Sequence, residues 1–349
     1  MSRAHAKPID GPAPGKTDFD TTRWAVVIPS FNHADDLVNC LASLRVANER
    51  PRRVILVDDA STEDTVTRIA GWAAQSGESY KVVGPDQPGA GDNSRVWLTV
   101  VASKVNSGFA VSCNIGLRYV RDHTDAPFAL LLNNDAAVSR SYFTDLAAGI
   151  ATCPSVGLAT GTIYEWDRQT VWYAGGRFNP LRAVAEHYLD VPTDGQSRST
   201  GFICGCTMLI SRAVLERVGL LPEIYSPCYC EDADYSLKVA GAGFKLVYVP
   251  DAKAFHRVGS SLGREIRSPR VIYWFNRNRG YAMRRNYRGW QRAGGIAYLA
   301  LTKPARALWE VLHGRPRSGA AFIRGTLAGF FDPVPDDDPK SEGRARNLS

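Results

Sequence analysis

Uninterrupted apolar runs recur along the first third of this 349-residue chain, and helical patterns separate them. The runs occupy residues 24–29, 54–57, 96–102 and 128–132. Apolar residues at helical spacing follow, as at Leu37, Leu41 and Leu44. Strands that lack alternation are buried on both faces, which is typical of parallel sheets covered by helices. The pattern therefore predicts an α/β domain with a mostly parallel sheet and helices on both faces.

The second half of the chain is less regular. We predict strands at 156–164, 207–210 and 244–249, with the last ending at Pro250, and helices at 211–218 and 232–240. Residues 172–190 are aromatic and are expected to form a loop. Composition then divides the chain into four segments. These are a disordered tail (1–22), the α/β domain (23–285), a basic amphipathic helical extension (286–330) and a second disordered tail (331–349).

Polar side chains follow three of the predicted strands. They lie at residues 29–32, at Asp58 and Asp59, and at residues 133–135. Because ligands of such sheets bind at the carboxyl ends of the strands, we expect these side chains to converge. About a hundred residues further on, an acidic cluster opens a predicted helix, and His256 follows the next strand. Carboxylates and an imidazole can together hold a divalent cation and accept a proton.

The net charge of the chain indicates which classes of partner it can bind. Its 42 lysines and arginines outnumber 35 acidic residues, giving a net charge of +7. Such a chain suits an anionic partner: a nucleotide diphosphate, a phospholipid surface or nucleic acid. Because the sequence contains no recognised nucleic-acid-binding motif, we expect no nucleic-acid partner. No apolar stretch reaches the roughly 18 to 20 residues of a membrane-spanning helix, and residues 1–22 lack the apolar core of a secretory signal. A cytoplasmic location is therefore expected.

The seven cysteines are an odd number and sit mostly in apolar elements, which favours reduced, buried thiols over disulfides. Cys204 and Cys206, with Cys228 and Cys230, are candidates for a zinc site, but their Cys-x-Cys spacing disfavours it. Residues 11–17 resemble a phosphate-binding loop, yet they are one residue short and follow no strand.

Several ordered motifs between residues 24 and 285 together resemble one enzyme family. They are Val-Ile-Pro-Ser-Phe-Asn at 27–32, Val-Asp-Asp-Ala-Ser-Thr at 57–62, Asn-Ser-Gly-Phe-Ala at 106–110, Leu-Asn-Asn-Asp at 132–135, Glu-Asp-Ala-Asp at 231–234, His256, and an Arg-Asn element at 277–279. The set resembles glycosyltransferase family 2, specifically its bacterial rhamnosyltransferase-like branch. The resemblance implies a GT-A fold, the Rossmann-like fold of nucleotide-diphospho-sugar transferases, with a C-terminal helical extension.

The resemblance also implies roles for residues of this sequence. The implied donor-binding residues are Pro29, Ser30, Phe31, Asn32, Asp58, Asn106, Gly108, Asn133, Asn134 and Arg277. Asp135 and His256 are the implied ligands of Mg²⁺ or Mn²⁺, and Asn133 stands where many relatives have a first aspartate. Asp232 is the implied general base, supported by Glu231 and Asp234.

Structural interpretations of the same residues stay open. Asp58, Asp59 and Asp135 suit helix caps or turns, and the acidic cluster suits a helix N-terminus. A histidine near a strand end is often a hydrogen-bonded structural residue. Arg277 and Arg279 fit a solvated basic face as well as a diphosphate. Trp166, Trp172, Tyr173 and the pair Gly175 and Gly176 suit either the acceptor side of a site or core packing.

The predicted function is inverting transfer of a sugar from a nucleotide-diphosphate donor to a hydroxyl. The resemblance makes dTDP-L-rhamnose the first donor and UDP-hexoses the next, with a cell-envelope glycan or lipid-linked molecule as acceptor. The alternatives are a sugar-1-phosphate nucleotidyltransferase and an inactive sugar-nucleotide-binding assembly subunit. Apolar residues beside arginines in 284–330 suit either an interfacial helix on anionic lipid, at the inner face of the cell membrane, or a helix packed on the catalytic domain.

Overall fold

A computed structural model describes residues 19–85, 96–257 and 268–335 of the chain. Within these residues, eleven strands form one mixed sheet and two more form a separate hairpin. The sheet contains β1 (Ala25–Ser30), β2 (Arg53–Asp58), β3 (Tyr80–Val83), β4 (Leu98–Ala102), β5 (Phe128–Leu132), β6 (Ala136–Val138), β7 (Val156–Glu165), β8 (Val171–Tyr173), β11 (Arg198–Ser199), β12 (Thr207–Ser211) and β13 (Lys245–His256). The hairpin pairs β9 (Gly176–Asn179) with β10 (Val184–His187).

The central sheet is mostly parallel, as predicted. Its order is β11-β13-β7-β12-β5-β1-β2-β4-β3, and every neighbouring pair from β5 to β3 is parallel. The strand β12 runs antiparallel to both of its neighbours, β5 and β7. Beyond it, β13 again runs parallel to β7. The carboxyl ends of β1, β2 and β5 therefore meet at one edge, where the predicted polar residues lie.

Helices cover both faces of the sheet. They are α1 (Ala34–Arg45), α2 (Thr65–Gln75), α3 (Phe109–His123), α4 (Tyr142–Ile150), α5 (Arg212–Arg217) and α6 (Glu231–Gly241). In β1, Val26 and Ile28 join the core cluster on the α1, α2 and α4 face. Ala25 and Val27 join the cluster on the α3, α5 and α6 face. Successive strand side chains point to opposite faces, so a strand buried twice must be apolar throughout.

The helix α3 packs unusually close to the sheet at Gly116. A methyl group at this position would lie 2.3 Å from Val27 Cγ1. Val27 sits at the centre of the sheet, in a strand hydrogen-bonded on both sides. Only glycine therefore lets α3 sit at its present height over β1.

Three elements differ from the sequence-based expectations. The strand β3 was not predicted, because its exposed Tyr80 and Val82 give it the pattern of an edge strand. The predicted loop 172–190 in fact contains β8, β9 and β10. The last strand does not end at Pro250: β13 continues to His256 through a register shift between Val249 and Lys253. Proline lacks the N–H that a ladder needs, and an irregularity of this kind is where a strand accommodates it.

The ends of the described chain are packed rather than extended. Phe19, inside the predicted tail 1–22, lies 6.1 Å from the ring of Phe128, and Thr21 is fully buried. The predicted disorder of residues 1–18 and 336–349 concerns positions outside the described residues.

Three helices follow β13 and form a C-terminal unit. They are α7 (Pro269–Asn286), α8 (Gly289–Leu312) and α9 (Pro316–Phe331), and α9 packs on both of the others. Glycine makes the contact between α7 and α9 close, because a methyl group on Gly280 would lie 2.6 Å from Gly329 Cα. Among the described helices, none combines the length and apolar character that a bilayer crossing requires. Several large apolar side chains of α8 face solvent, including Trp290, Leu301 and Leu312.

Candidate active site

The loops after β1 and β2 are tied together by side-chain hydrogen bonds. Asp58 Oδ1 accepts from Ser61 Oγ at 2.5 Å. Asn32 Oδ1 accepts from the Thr62 backbone N–H at 2.8 Å, and Asn32, His33 and Ala60 all adopt left-handed backbone conformations. Asn32 and Asp58 thus join the loops after β1 and β2 into one surface, the ledge. Pro29 and Ser30 are buried beneath it, and Phe31 is 42% exposed above it.

Asp59 does not cap the following helix, which begins at Thr65. Its carboxylate instead accepts from the backbone N–H groups of Ser107 and Gly108, at 2.9 and 2.8 Å. Burial raises the pKa of Asp59, and these two hydrogen bonds oppose the rise. Asp59 therefore fixes the Asn-Ser-Gly loop at the start of α3, on which Asn106 is exposed.

Gly108 is required where this loop meets another one. Its φ is +90°, and a methyl group there would lie 2.8 Å from Pro227 Cα. The neighbouring Phe109 N–H donates to the Pro227 carbonyl at 3.0 Å. The predicted donor loop thus packs directly on the segment that leads into α6.

Residues 133–135 turn at the end of β5, and each side chain takes a different direction. Asn134 Nδ2 donates to Ser30 Oγ and to the Asn32 carbonyl, both at 3.3 Å. Asn133 Oδ1 is buried and has no hydrogen-bond partner among the described residues. Asp135 Oδ1 lies 3.1 Å from His256 Nε2. Because β6 pairs with β13 and sets Ala136 opposite His256, the sheet itself holds this carboxylate and imidazole together.

The acidic cluster at the start of α6 contains three carboxylates in three environments. Asp232 accepts from the Gly205 N–H at 3.0 Å and from its neighbour Ala233 N–H at 2.8 Å. Burial raises the pKa of Asp232, and these amides oppose the rise. Burial, and then the charge of Asp232, raise the pKa of Glu231 to about 8. Glu231 Oε2 has no hydrogen-bond partner among the described residues.

Asp234 has a structural position. It accepts from Asn286 Nδ2 and lies 3.3 Å from Arg285 Nε, so it joins α6 to the end of α7. Asp234 therefore anchors the C-terminal helices to α6, and its supporting role beside Asp232 stays a prediction.

One short loop connects the Asp135 region to Asp232. In residues 204–206, the Gly205 N–H donates to Asp232, while the Cys206 carbonyl accepts from the Asn133 N–H at 3.0 Å. Adjacent residues of this loop thus hold the Asp232 carboxylate and the backbone of the turn that carries Asp135.

Aromatic rings fill the space between the same two groups. The Trp172 ring lies 4.9 Å from His256 and 4.7 Å from His187, edge-on to both. Burial lowers the pKa of His187, while a hydrogen bond to the Trp172 carbonyl and the charge of Asp232 oppose the fall. Trp172 is half-buried at the site, whereas Tyr173 is core, with its hydroxyl donating to the Phe202 carbonyl at 2.6 Å.

Sequence reasoning missed His187. It ends a four-residue strand among aromatic residues, and no motif marks it. A histidine next to several aromatic residues in a stretch with no predicted element was the available signal. Trp166, the other candidate for the acceptor side, stacks under Arg257 at 4.8 Å instead.

The Arg-Asn element on α7 clamps the segment before α6. Asn278 Nδ2 donates to the carbonyls of Tyr225, Cys228 and Tyr229 at 2.8 to 3.1 Å. Arg277 Nη2 donates to the Ser226 carbonyl at 2.7 Å. These contacts are structural, and the donor-binding role of Arg277 stays a prediction.

The donor atoms of Asp135 and His256 suit a divalent cation. A carboxylate oxygen and an imidazole nitrogen 3.1 Å apart can both reach one cation at about 2.0–2.2 Å. Among the described residues there is no group of three or more His, Cys, Asp or Glu side chains suited to a metal. Asp135 and His256 therefore fit a cation that takes its other ligands from phosphate oxygens and water, as Mg²⁺ commonly does.

The cysteines flanking Asp232 form no such group within the described part of the chain. Burial raises the pKa of Cys228 to about 12 and the pKa of Cys204 and Cys206 further still. These thiols are therefore protonated at neutral pH.

The sheet order and the converging strand ends are those of the GT-A fold class. A mannosyltransferase from Pyrobaculum calidifontis, solved with GDP-Man and Mn²⁺, aligns with a TM-score of 0.52 at 19% identity, covering 89% of this chain and 87% of its own. GalNAc-T7, solved with UDP, GalNAc and Mn²⁺, aligns with a TM-score of 0.59 at 15% identity, covering 89% and 58%. The S. aureus TarS 1-349 complex with UDP-GlcNAc aligns with a TM-score of 0.52 at 16% identity, covering 87% and 81%. At these identities the likeness concerns the fold alone.

The chain belongs to the glycosyltransferase-like family 2, whose sequence model matches residues 22–270. It is similar to the N-acetylglucosaminyl-diphospho-decaprenol L-rhamnosyltransferase of Mycobacterium tuberculosis. The two are 26% identical over 254 residues, which are 69% of this chain and 78% of the relative. The resemblance read from the sequence motifs is confirmed at the level of the family and its rhamnosyltransferase-like branch.

Proposed function

We propose that the protein transfers a sugar, with inversion, from a nucleotide diphosphate to a hydroxyl of a lipid-linked or cell-envelope glycan. The observation that carries the proposal is the pairing of Asp135 with His256 on one side of residues 204–206 and the seating of Asp232 on the other. The first donor to test is dTDP-L-rhamnose, followed by UDP-hexoses. The M. tuberculosis relative, an L-rhamnosyltransferase named for a lipid-diphosphate acceptor, supports this order.

Asp232 is the general base of this proposal. Its two amide hydrogen bonds fix the carboxylate, and its raised pKa brings it closer to the range in which proton transfer at neutral pH is efficient. It accepts the proton of the acceptor hydroxyl as that oxygen attacks the anomeric carbon. The nucleoside diphosphate leaves from the opposite face of the sugar. A single displacement needs no carboxylate nucleophile, in contrast to a retaining glycosidase.

The donor side is assigned to the ledge between β1 and β2 and to the turn after β5. Phe31, exposed above the ledge, supplies an apolar wall for the base, and the Asp58 carboxylate accepts from a ring N–H. Asp58 already holds Ser61, so the base meets a preorganised acceptor. Asn106, Gly108, Asn133 and Asn134 border the remaining donor volume.

Asp135 and His256 are assigned to a bound Mg²⁺ or Mn²⁺. When bound, the cation neutralises charge on the leaving diphosphate. His256 Nδ1 is buried with no hydrogen-bond partner among the described residues, so Nε2 is the nitrogen turned toward Asp135.

The C-terminal helices suit work at a membrane surface on the cytoplasmic side. Trp290, Leu301 and Leu312 are each at least three-quarters exposed, beside a basic stretch of the chain. Apolar residues next to cations favour an interface with anionic lipid. Flotation with liposomes of anionic lipid tests this, and a chain with Leu301 and Leu312 changed to Ser should remain at the bottom of the gradient.

Donor hydrolysis tests the chemistry without knowledge of the acceptor. Purified protein with Mn²⁺ or Mg²⁺ should slowly release nucleoside diphosphate from one member of a nucleotide-sugar panel, and Asp135→Ala should abolish the release. Asp251→Ala, an exposed carboxylate on β13, is the matched control and should behave as the wild type.

Two outcomes would contradict the proposal. Consumption of a nucleoside triphosphate together with a sugar phosphate would identify a nucleotidyltransferase. Binding of a nucleotide sugar, detected by thermal shift, with neither hydrolysis nor transfer would identify an inactive binding subunit.

A further inference from the structure

Four cationic side chains gather where the β9–β10 hairpin meets the C-terminal helices. Arg279, on α7, is 5% exposed and donates to the backbone carbonyls of Arg182 and Ala183 at the hairpin tip. Lys303 and Arg306, on α8, lie over the same Phe322 ring at 5.8 and 6.0 Å. Burial, and then the charges of Arg279, Arg306 and Arg182, lower the pKa of Lys303 to about 8.

The positive charge of this cluster is only partly neutralised. Arg182 pairs with Glu186 at 3.0 Å, but Glu186 also serves Arg177 at 3.0 Å. Arg306 pairs with Glu310 at 2.8 Å, but Glu310 also serves Arg315 at 2.6 Å. Among the described residues, Lys303 has no ion pair with a carboxylate.

Arg279 also has no carboxylate partner within the described ranges. Its guanidinium donates to the backbone carbonyls of Arg182 and Ala183. Partly buried cations without a counter-charge are unfavourable unless an anion joins them. The cluster therefore suits a ligand that carries more than one negative charge.

The hairpin connects this cluster to the catalytic centre. In its register, His187 lies opposite Gly176 at one end and Val184 lies opposite Asn179 at the other. The end at His187 is close enough to Asp232 for that charge to oppose the fall in the pKa of His187 that burial causes. Arg182 lies just beyond the other end, which is at Val184. A four-residue strand spans about 10–13 Å. Arg182 thus lies more than one such strand length from His187, with the cations at one end of the hairpin and the proposed base near the other.

An apolar ring on α8 lies beside the cations. Trp309 follows Arg306 by three residues, so the two share a face of the helix. The Trp309 ring is 40% exposed and lies 4.2 Å from the Arg306 guanidinium. Cationic and apolar contacts are thus adjacent, as a diphosphate joined to a hydrocarbon chain requires.

We propose that Arg182, Arg279, Lys303 and Arg306 bind the diphosphate of a lipid-linked acceptor, with its hydrocarbon chain leaving along α8. This inference rests on the proposed function, which supplies a sugar hydroxyl at Asp232. The cluster then fixes how far the reacting hydroxyl lies from the diphosphate, and so selects acceptors by the length of the sugar unit between them.

Binding of farnesyl diphosphate, measured by calorimetry with the donor site filled by excess nucleoside diphosphate, tests the site without catalysis. Lys303→Gln should weaken binding about tenfold to a hundredfold, the range expected for a lost charge-assisted hydrogen bond. Arg182→Gln should act in the same direction. Lys245, an exposed lysine at the start of β13, lies outside the cluster, and Lys245→Gln should leave the affinity unchanged.

The outcomes separate this inference from the proposed function. If the wild type hydrolyses a nucleotide sugar but does not bind farnesyl diphosphate, the inference is wrong and the function stands. If Lys303→Gln lowers the affinity for the nucleotide sugar equally, the cluster belongs to the donor site and the inference is also wrong. If Lys303→Gln weakens flotation with anionic liposomes but not the binding of farnesyl diphosphate, the ligand is a phospholipid headgroup and the inference fails.

Discussion

Replacing Glu231 by glutamine should make the protein's stability less dependent on pH. Glu231 is 6% exposed, and one of its oxygens has no hydrogen-bond partner among the described residues. Burial and the adjacent Asp232 raise its pKa from 4.5 to about 8. The folded protein therefore keeps a proton on Glu231 that the unfolded chain loses.

The sign and size of the effect follow from this difference. Below about pH 4.5 both states are protonated, and the folded state is not penalised. Between about pH 4.5 and 8 the unfolded chain ionises first, so the free energy of unfolding falls by about 1.4 kcal/mol for each pH unit. From pH 5.5 to 7.5 the wild type should thus lose up to about 3 kcal/mol more than Glu231→Gln. Ionisation of Asp232 affects the pKa of Glu231, so this loss of stability is an upper limit.

Urea denaturation at pH 5.5, 6.5 and 7.5 measures the difference. Subtracting the variant from the wild type removes the contribution of the groups that do not interact with Glu231. Glu165→Gln, an exposed glutamate, is the control and should follow the wild type. If Glu231→Gln loses stability with pH as steeply as the wild type, the carboxyl is ionised in the fold and the reasoning is refuted.

Three further changes test the fold and the site. Gly116→Ala should lower the free energy of unfolding by about 1–3 kcal/mol, because the new methyl group meets Val27 at 2.3 Å; unchanged urea stability would contradict this. Asn278→Ala should cost about 3 kcal/mol and speed amide exchange in residues 225–230, whose carbonyls it holds; exchange there as slow as in the wild type would argue against the clamp. Asp232→Asn should reduce kcat for transfer about 10²–10⁴-fold while leaving nucleotide-sugar binding intact; a kcat near that of the wild type would remove Asp232 as the base.

The sequence predicts well those elements that are buried on both faces. The strand β5 is apolar throughout, β1 is apolar up to its last residue, Ser30, and β2 is apolar between Arg53 and Asp58, so all three stand out from their surroundings. The edge strand β3 and the hairpin β9–β10 are half-exposed and short. Their pairing depends on partners far along the chain, which a local pattern does not contain.

Some features of the site could likewise be predicted from local motifs, and others could not. Asp135 and His256 could be proposed from motifs, and they lie together because β6 and β13 pair there. The motif at residues 231–234 did not predict that its three carboxylates lie in three different environments. Asp232 faces residues 204–206, and Asp234 faces α7. Glu231 is buried, with one oxygen that has no hydrogen-bond partner in the described part of the chain.

His187 could not be found from the sequence because its importance arises from tertiary contacts. It lies between Trp172 and Asp232 only once the hairpin has folded. Arg277 illustrates the converse. Its motif suggests anion binding, whereas its guanidinium donates to the Ser226 carbonyl and to the Asn278 side chain.

The loop at residues 204–206 has a consequence for how relatives of this enzyme diverge. The Gly205 amide holds Asp232 and the Cys206 carbonyl holds the Asn133 turn, so two adjacent residues link the proposed base to the turn that carries Asp135. We expect acceptor preference to change through exposed side chains of the C-terminal helices and of the hairpin tip, because these lie outside that link.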